Sequence, residues 1–477
     1  MKDYHEFLQR KAIVDHPTGI DGEIKLNKSL FPFQNACVRW ALKRGRAALF
    51  EMTGLGKTPQ QCEWAYQVSM FTQRSVLIVA PLAVAHQTIA EAKKILGLDI
   101  KFAKDQSEAC EFGIYITNYQ KLDHFDMAAF GGIALDESSI LKSQDGATKQ
   151  KLIESCQCIP FRLACTATPA PNDYMELGNH AEFLGVMKST EMLSTFFVHD
   201  GGETQKWRLK GHAEADFWRW MASWAICITH PRDIGFDQPG YDLPPLRMHE
   251  VIVDTDNKPA EGELFAMPAK TLQERRKARG ASIEERVAKA REIVESSPDD
   301  QWLSWCGLNT EAELCAKETK SENITGSDSD ERKEKMLLGF ASGEIQRITS
   351  KTSIAGFGMN WQGCHQMIFV GLSDSFEGLY QAIRRCYRFG QKNPVDVYIV
   401  ISSQEGAVLE NIKRKEADAI AMQKSLVVHM ADFTKRELSN MTRDTLTYDA
   451  HHDMLIPKWL RSQSTCSPTP EMGNLVT

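Results

Sequence analysis

Short, nearly continuous apolar runs alternate with longer helix-patterned stretches along most of this chain, in two separate blocks. The first block carries AALFEM, SVLIVA, FGIYITN, GGIALDE and FRLACTAT; the second carries QWLSWC, ENIT, QRITSKT, HQMIFVG and VDVYIVI. A strand without polar alternation is covered on both faces, and strands separated by helices pair in parallel. The pattern predicts an α/β chain with two parallel-sheet lobes in tandem, and 477 residues are too many for a single core. The expected partition is an N-terminal segment (1–29), a first lobe (30–170), a helical extension of that lobe with a linker (171–250), a second lobe (251–425) and a C-terminal extension with a partly disordered tail (426–477). The extension is marked by its aromatic content, as in DFWRWMASWAICI. In GYDLPPLRMHEVIVD, Pro244 and Pro245 bar a helix, so the segment reads as extended. LQERRKARGASIEERVAKAREIVES reads as a solvated amphipathic helix leading into the second lobe, with a phosphate-contacting role for its arginines as the alternative.

Twelve cysteines raise the question of a disulfide or zinc framework, but they are scattered. Cys156 and Cys158 have no matching pair at zinc-ligand spacing. Cys165, Cys227, Cys306 and Cys364 sit among apolar residues, where a free thiol acts as a small hydrophobe. The N-terminal MKDYHEFLQRKAIVDHP has no apolar run and no later stretch reaches the uncharged length of a membrane span. A cytoplasmic protein with no secretion signal and no membrane partner is expected. Net charge is −7, so any contact with nucleic acid must be local rather than long-range.

The stretch EMTGLGKT follows a strand-like run and precedes the helix-like PQQCEWAYQVSM. Glycine accepts the backbone angles that turn successive amides inward around a phosphate. Gly54 and Gly56 supply that loop, Lys57 the charge for terminal phosphates and Thr58 a hydroxyl for Mg²⁺. Glu51 stands where the usual pattern has its first glycine, so the motif alone is weak. A second piece, IALDESS, ends an apolar strand in two carboxylates. Beside a phosphate loop, Asp136 is suited to hold Mg²⁺ and Glu137 to deprotonate an attacking water; an acidic turn after a strand is the plainer alternative. A third piece, YQAIRRCYRFGQKNP, puts Gln381, Arg385 and Arg388 on one face if it is helical. Arginines so arranged reach across a cleft to a γ-phosphate as arginine fingers, where solvent-facing arginines are the common case.

Taken in order, these motifs resemble those of superfamily-two helicases, most closely the Swi/Snf-type branch of DNA translocases. LFPFQNACVRW resembles the adenine-side motif, with Gln34 in place, and EMTGLGKT resembles motif I with Thr53 as a departure. APLAVAHQTIAEAKK and YITNYQKL resemble motif Ia and the tyrosine segment after it. LDESSILKS resembles motif II, LACTATPAPND motif III, TSKTSIAGFGMNWQGCHQMIFVG motif V and QAIRRCYRFGQ motif VI. The resemblance spans roughly residues 30 to 425. Ser139 replaces the usual last residue of motif II, DSF (Asp374 to Phe376) replaces a Trp-Asn-Pro, and Arg384 stands where an acidic residue is usual.

The resemblance implies two RecA-like lobes, ATP and Mg²⁺ as cofactors, and DNA, most of all duplex, as partner. Lys57, Glu137, Arg385 and Arg388 are the implied catalytic set. ATP is implied at Gln34, Thr53, Gly54, Leu55, Gly56, Lys57, Thr58, Gly358 and Asn360, and Mg²⁺ at Thr58 and Asp136. Pro81, Asn118, Tyr119, Lys142, Thr166 and Trp361 are the nucleic-acid candidates, with Thr168 and Gln381 in coupling. For Tyr119 and Trp361 a core position is the competing reading. The short chain is similar to stand-alone bacterial and phage members, expected to act as a monomer, with a loading partner or a special DNA structure suggested by the acidic balance. An RNA or single-strand helicase and a binding scaffold with a weak or partner-dependent ATPase are the alternatives.

Overall fold

Each of the apolar runs is a strand, and every strand of the two large sheets is parallel to its neighbours. The computed structural model describes residues 17–142, 147–170, 173–199, 207–254, 280–355, 360–372, 375–403 and 406–438. The first sheet contains β1 (Arg46–Glu51), β2 (Val76–Ala80), β3 (Ile100–Phe102), β4 (Ile114–Asn118), β5 (Gly132–Asp136), β6 (Phe161–Thr166) and β9 (Ala225–Ile228). Their spatial order is β3-β4-β2-β5-β6-β1-β9. A short antiparallel hairpin, β7 (Phe197–His199) with β8 (Trp207–Leu209), stands apart from both sheets. The second sheet runs β10 (Leu246–Val253), β15 (Val395–Ser402), β14 (Gln366–Val370), β11 (Trp302–Cys306), β13 (Arg347–Lys351) and β12 (Glu322–Ile324), in that order. These are two RecA-like parallel-sheet lobes.

Burial explains the lack of polar alternation. β2, β4, β5 and β6 are buried at every position, as are β11 and β14 in the second lobe. Helices cover both faces of the first sheet and leave two cores, one under Trp64 and Phe33 and one under Trp220, Trp224 and Phe183. The first sheet draws β9 from inside the 171–250 stretch, and the second sheet begins inside it at Leu246. β9 is too short to separate by sequence from the aromatic helix before it, whereas β10 falls in the segment that reads as extended. Residues 18–20 close onto the end of the helix Pro32–Arg44 that precedes β1, their amides donating to the carbonyls of Arg44, Lys43 and Leu42.

Parallel strands carry their functional loops at their carboxyl ends, where chain leaves strand for helix. Glu51, Asp136 and Thr166 lie together at that edge, because β1 pairs with β6 and β6 with β5 in register. Helices α1 (Pro32–Arg44), α2 (Lys57–Thr72) and α3 (Leu82–Glu91) lead from or toward it. The charged segment ahead of the second lobe is described from residue 280, and its helix α4 (Ile283–Ser296) buries Val287, Ala290 and Val294 on one face. Arg286 on that helix is also fully buried, against Glu311, so this arginine is a core residue rather than a phosphate contact. Arg275, Arg276 and Arg279 lie outside the described residues.

Helix α5 (Phe376–Ile383) is shorter than the spacing of Gln381, Arg385 and Arg388 predicts. The chain leaves the α-helix at Arg384, and the next amides bond three residues back, Arg385 to Ala382 and Cys386 to Ile383. The carbonyl of Arg385 instead accepts from the Trp361 amide at 2.9 Å. Gln391 Nε2 ties the carbonyls of Cys364 and Cys386, at 2.9 and 3.2 Å. Both arginines therefore sit on consecutive turns, not on one helical face. The last helix, α6 (Gly406–Leu438), starts in the second lobe's core with Val408 and Leu409 and ends in the first lobe's core with Leu426 and Met430. Among the described residues no helix is long and apolar enough to cross a membrane.

Candidate nucleotide site between the lobes

The loop between β1 and α2 turns on two glycines with positive φ, Gly54 at 94° and Gly56 at 83°. Gly56 caps α2, so the free amides of the first helical turn face the loop. A Cβ at Gly56 would come within 2.3 Å of Gln34 Nε2, so close packing as well as dihedral angle demands glycine there. Lys57 Nζ lies across the loop and donates to the carbonyl of Glu51 at 2.7 Å. Thr58 follows in the first turn of α2, and Thr53 and Leu55 complete the loop.

Beside it, β5 delivers Asp136 buried and Glu137 half-buried. Glu137 holds a φ of 53°, a left-handed conformation that costs a non-glycine residue energy and recurs where a side chain must be aimed. Burial, then the neighbouring Glu137 carboxylate, pushes the Asp136 carboxyl up to about 7, against the pull of Lys57 and Gln61. Two adjacent carboxylates in so dry a place, one of them that proton-hungry, fit a divalent cation, and Thr58 and Asp136 are the residues present to hold Mg²⁺.

The second lobe meets this loop directly. A Cβ on Gly54 would touch the Phe389 amide at 3.2 Å and Arg388 Cβ at 3.5 Å, so the arginine turn rests on the phosphate loop. Burial lowers Arg385 to about 10, next to Arg388, while the Glu137 and Asp136 carboxylates hold its charge in place. Arg388 Nη1 donates to Asn360 Oδ1, and Asn360 Nδ2 donates to Glu91 Oε1 on α3 at 2.7 Å. Tyr380 Oη also reaches across, to Met52 Sδ at 2.8 Å. A pocket of about 340 Å³ opens at this junction, lined by Met52 to Leu55 of the loop together with Tyr241, Arg384 and Phe389.

The sequence-predicted residues divide in position. Gln34, Thr53, Gly54, Leu55, Gly56, Lys57, Thr58, Asp136, Glu137, Arg385 and Arg388 converge on the junction. Gln34 is not turned to a base: its Oε1 accepts from the Phe31 amide at 3.0 Å and its Nε2 donates to the Leu55 carbonyl at 2.9 Å. Asn360 bridges Arg388 to Glu91. Trp361 is buried against Phe340 and Trp305, and Tyr119 is buried with its hydroxyl donating to the Asp136 carbonyl at 2.6 Å. Neither ring is open to a base in this structure, because each fills core space beside a strand end. Asn118 and Thr166 are likewise buried, Thr166 Oγ1 accepting from the Thr168 amide at 3.2 Å. Pro81 stands half-buried at the start of α3, and Lys142 closes a short 3-10 turn after β5. Gln381 Oε1 meets no hydrogen-bond partner among the described residues, and Gly358 lies outside them.

Other residues at the junction escaped the sequence reading. Tyr241 and Phe389 pack with ring centroids 4.7 Å apart, and their only sequence signal is an aromatic beside a glycine. His180 carries none at all; it meets Ser138 Oγ at 3.1 Å, and burial lowers it to about 4.

Residues 285–390, from α4 through the arginine turn, match the helicase conserved C-terminal domain. On a RecA-like fold, that match supports a superfamily-two helicase-like protein and, in general terms, a helicase-type nucleic-acid-dependent ATPase. No curated protein matches the chain.

Proposed function

We propose that this protein is an ATP-dependent DNA translocase of the Swi/Snf-type branch, acting on duplex DNA. The observation that carries this is the seating of the Arg385–Arg388 turn on the phosphate loop, opposite Asp136 and Glu137. Neither lobe holds a full set of groups for phosphoryl transfer; the junction does. In this reading Lys57 and the loop amides bind the β- and γ-phosphates, and Glu137 takes a proton from the attacking water. Arg385 and Arg388 stabilise charge on the transferring phosphoryl group. Thr58 and Asp136 would hold Mg²⁺, which would supply neutralisation of phosphate charge.

Closure of the lobes on ATP and their release after hydrolysis then give one opening and closing per turnover. If both lobes hold phosphates of one strand, that cycle moves the protein along DNA. The loops after β2, β4 and β6 are the proposed track, contacting phosphates without reading bases. Pro81 starts one of them, and Lys142 lies just after β5. The domains act as proposed units at 1–29, 30–170, 171–250, 251–425 and 426–477. A monomer working in the cytoplasm, with a loading partner or a special DNA structure to offset the net charge of −7, completes the reading.

The test is steady-state ATP hydrolysis alone and with duplex DNA, single-stranded DNA or RNA. Strong stimulation by duplex DNA supports the reading. Stimulation by single strands or RNA alone replaces it with a helicase on those substrates, and no turnover with any of them leaves a scaffold.

A further inference from the structure

A φ of 53° persists in a non-glycine residue only where its neighbours hold it, and Glu137 is held on both sides. Its own amide donates to Asp136 Oδ1 at 3.2 Å, and its carbonyl accepts from the Ile140 amide at 3.3 Å. On the side of β5, the Asp136 carbonyl accepts from the Tyr119 hydroxyl at 2.6 Å. On the far side, Ser138 is fully buried, with its Oγ 3.1 Å from His180 Nε2. His180 stands on the helix Leu177–Leu184, 42 residues further along the chain.

The same imidazole reaches β1. It lies at 82° to the Phe50 ring with centroids 5.1 Å apart, and Phe50 precedes Glu51, where the phosphate loop leaves the strand. One side chain therefore touches both the strand end that carries the phosphate loop and the turn that carries the carboxylate pair. Filling space does not account for it. His180 is fully buried, and desolvating two ring nitrogens costs free energy that a phenyl ring of similar outline does not cost. Burial lowers it to about 4, so the ring is uncharged at neutral pH. A neutral imidazole bonds a hydroxyl in either tautomer, because the hydroxyl can donate or accept.

We infer that His180 is a positioning residue for Glu137: by holding Ser138 it fixes the turn that aims the carboxylate beside the phosphate loop. This rests on the nucleotide-site reading above. There Lys57 and the loop amides bind the phosphates, while Glu137 takes the proton from water. A loosened turn then slows the chemical step and leaves nucleotide affinity alone.

The experiment measures kcat for ATP with the intact chain and a stimulating nucleic acid, and in parallel the affinity for a fluorescent ATP analogue. His180→Phe keeps a ring against Phe50 and loses the hydrogen bond. It is expected to lower kcat about 10- to 100-fold with affinity within about twofold of wild type. Ser138→Ala should do the same, and the double variant should lose no more than either single one. His180→Gln, whose amide can stand in for Nε2, should recover most of the lost kcat. Wild-type kcat in Ser138→Ala overturns the inference, as do losses that multiply in the double variant or a fall in affinity as large as that in kcat. Each of these leaves the ATPase reading intact. A wild-type chain that hydrolyses no ATP with any nucleic acid overturns both.

Discussion

Asn360, on the second lobe, donates to Glu91 on the first at 2.7 Å while accepting from Arg388. Glu91 is the last residue of α3, the helix that begins beside Pro81 on the proposed DNA track. One helix thus runs from that proposed track to Glu91, which holds Asn360, the hydrogen-bond partner of Arg388. Glu91→Ala is expected to leave unstimulated ATP hydrolysis nearly unchanged and to cut its stimulation by nucleic acid about fivefold. Wild-type stimulation in the variant would mean the link carries no coupling.

Glu137, half-buried at the end of β5 with a φ of 53°, is the proposed base. Glu137→Gln should bind ATP with nearly wild-type affinity and hydrolyse it about 10²–10⁴-fold more slowly. Lys57→Ala should lose affinity as well. Equilibrium binding of a fluorescent ATP analogue, set beside single-turnover hydrolysis, separates the two. Turnover by Glu137→Gln within tenfold of wild type would move the base elsewhere.

Gly56 packs its Cα face on Gln34 while holding a φ of 83°. Gly56→Ala meets two obstacles, the left-handed backbone and the amide 2.3 Å from the new methyl. Adding Gln34→Ala removes the second only. The double variant should recover part of the nucleotide affinity lost by Gly56→Ala, and losses that simply add would show that the two residues are not in contact.

The sheets were legible because a strand buried on both faces has to be written in unbroken apolar residues, as β2 and β5 are. The placement of the loops was legible too, since Gly54, Gly56, Lys57 and the Asp136–Glu137 pair each sit at a strand's carboxyl end. What sequence spacing did not carry was the chain's path after Ile383. The helix stops there because the Arg385 carbonyl is claimed by Trp361 and those of Cys364 and Cys386 by Gln391, contacts remote in sequence or specific to the fold. The setting of Gln34 was illegible for a similar reason: the motif names the residue, but only packing shows its amide bonded to the Phe31 amide and the Leu55 carbonyl. Tyr119 and Trp361 show the same limit, as an aromatic after a strand is written alike whether it faces a base or the core.

Arg286 and Glu311 pair with neither side chain exposed, and Glu311 also accepts from the amides of Gly307 and Leu308 at 2.6 and 3.2 Å. Removing one partner strands the other charge in the core. Arg286→Met is expected to cost about 3–5 kcal/mol of stability in urea denaturation. Arg286→Met with Glu311→Leu should recover much of that loss, because no buried charge is left. A double variant no more stable than the single would show that the capping of residues 307 and 308, not the ion pair, is what matters.

Glu51 ends β1 fully buried, with Gln60 Nε2 donating to it at 2.7 Å and Lys57, Cys37 and Tyr241 around it. Burial raises its carboxyl from 4.5 to about 7, more than Lys57, Gln60 and Cys37 can offset. The folded protein therefore holds this proton more tightly than the unfolded chain does. The stability so gained is complete below about pH 4.5 and is lost as pH rises through 7. Glu51→Gln keeps the shape and an acceptor for Gln60 but has no charge to bury. It is expected to exceed wild type by up to about 3 kcal/mol at pH 8, and by much less at pH 5. Thermal melts of the two proteins from pH 5 to 8 check this. A Tm gap that stays constant across that range would mean that Glu51 is ionised throughout, with Lys57 paying its desolvation in full.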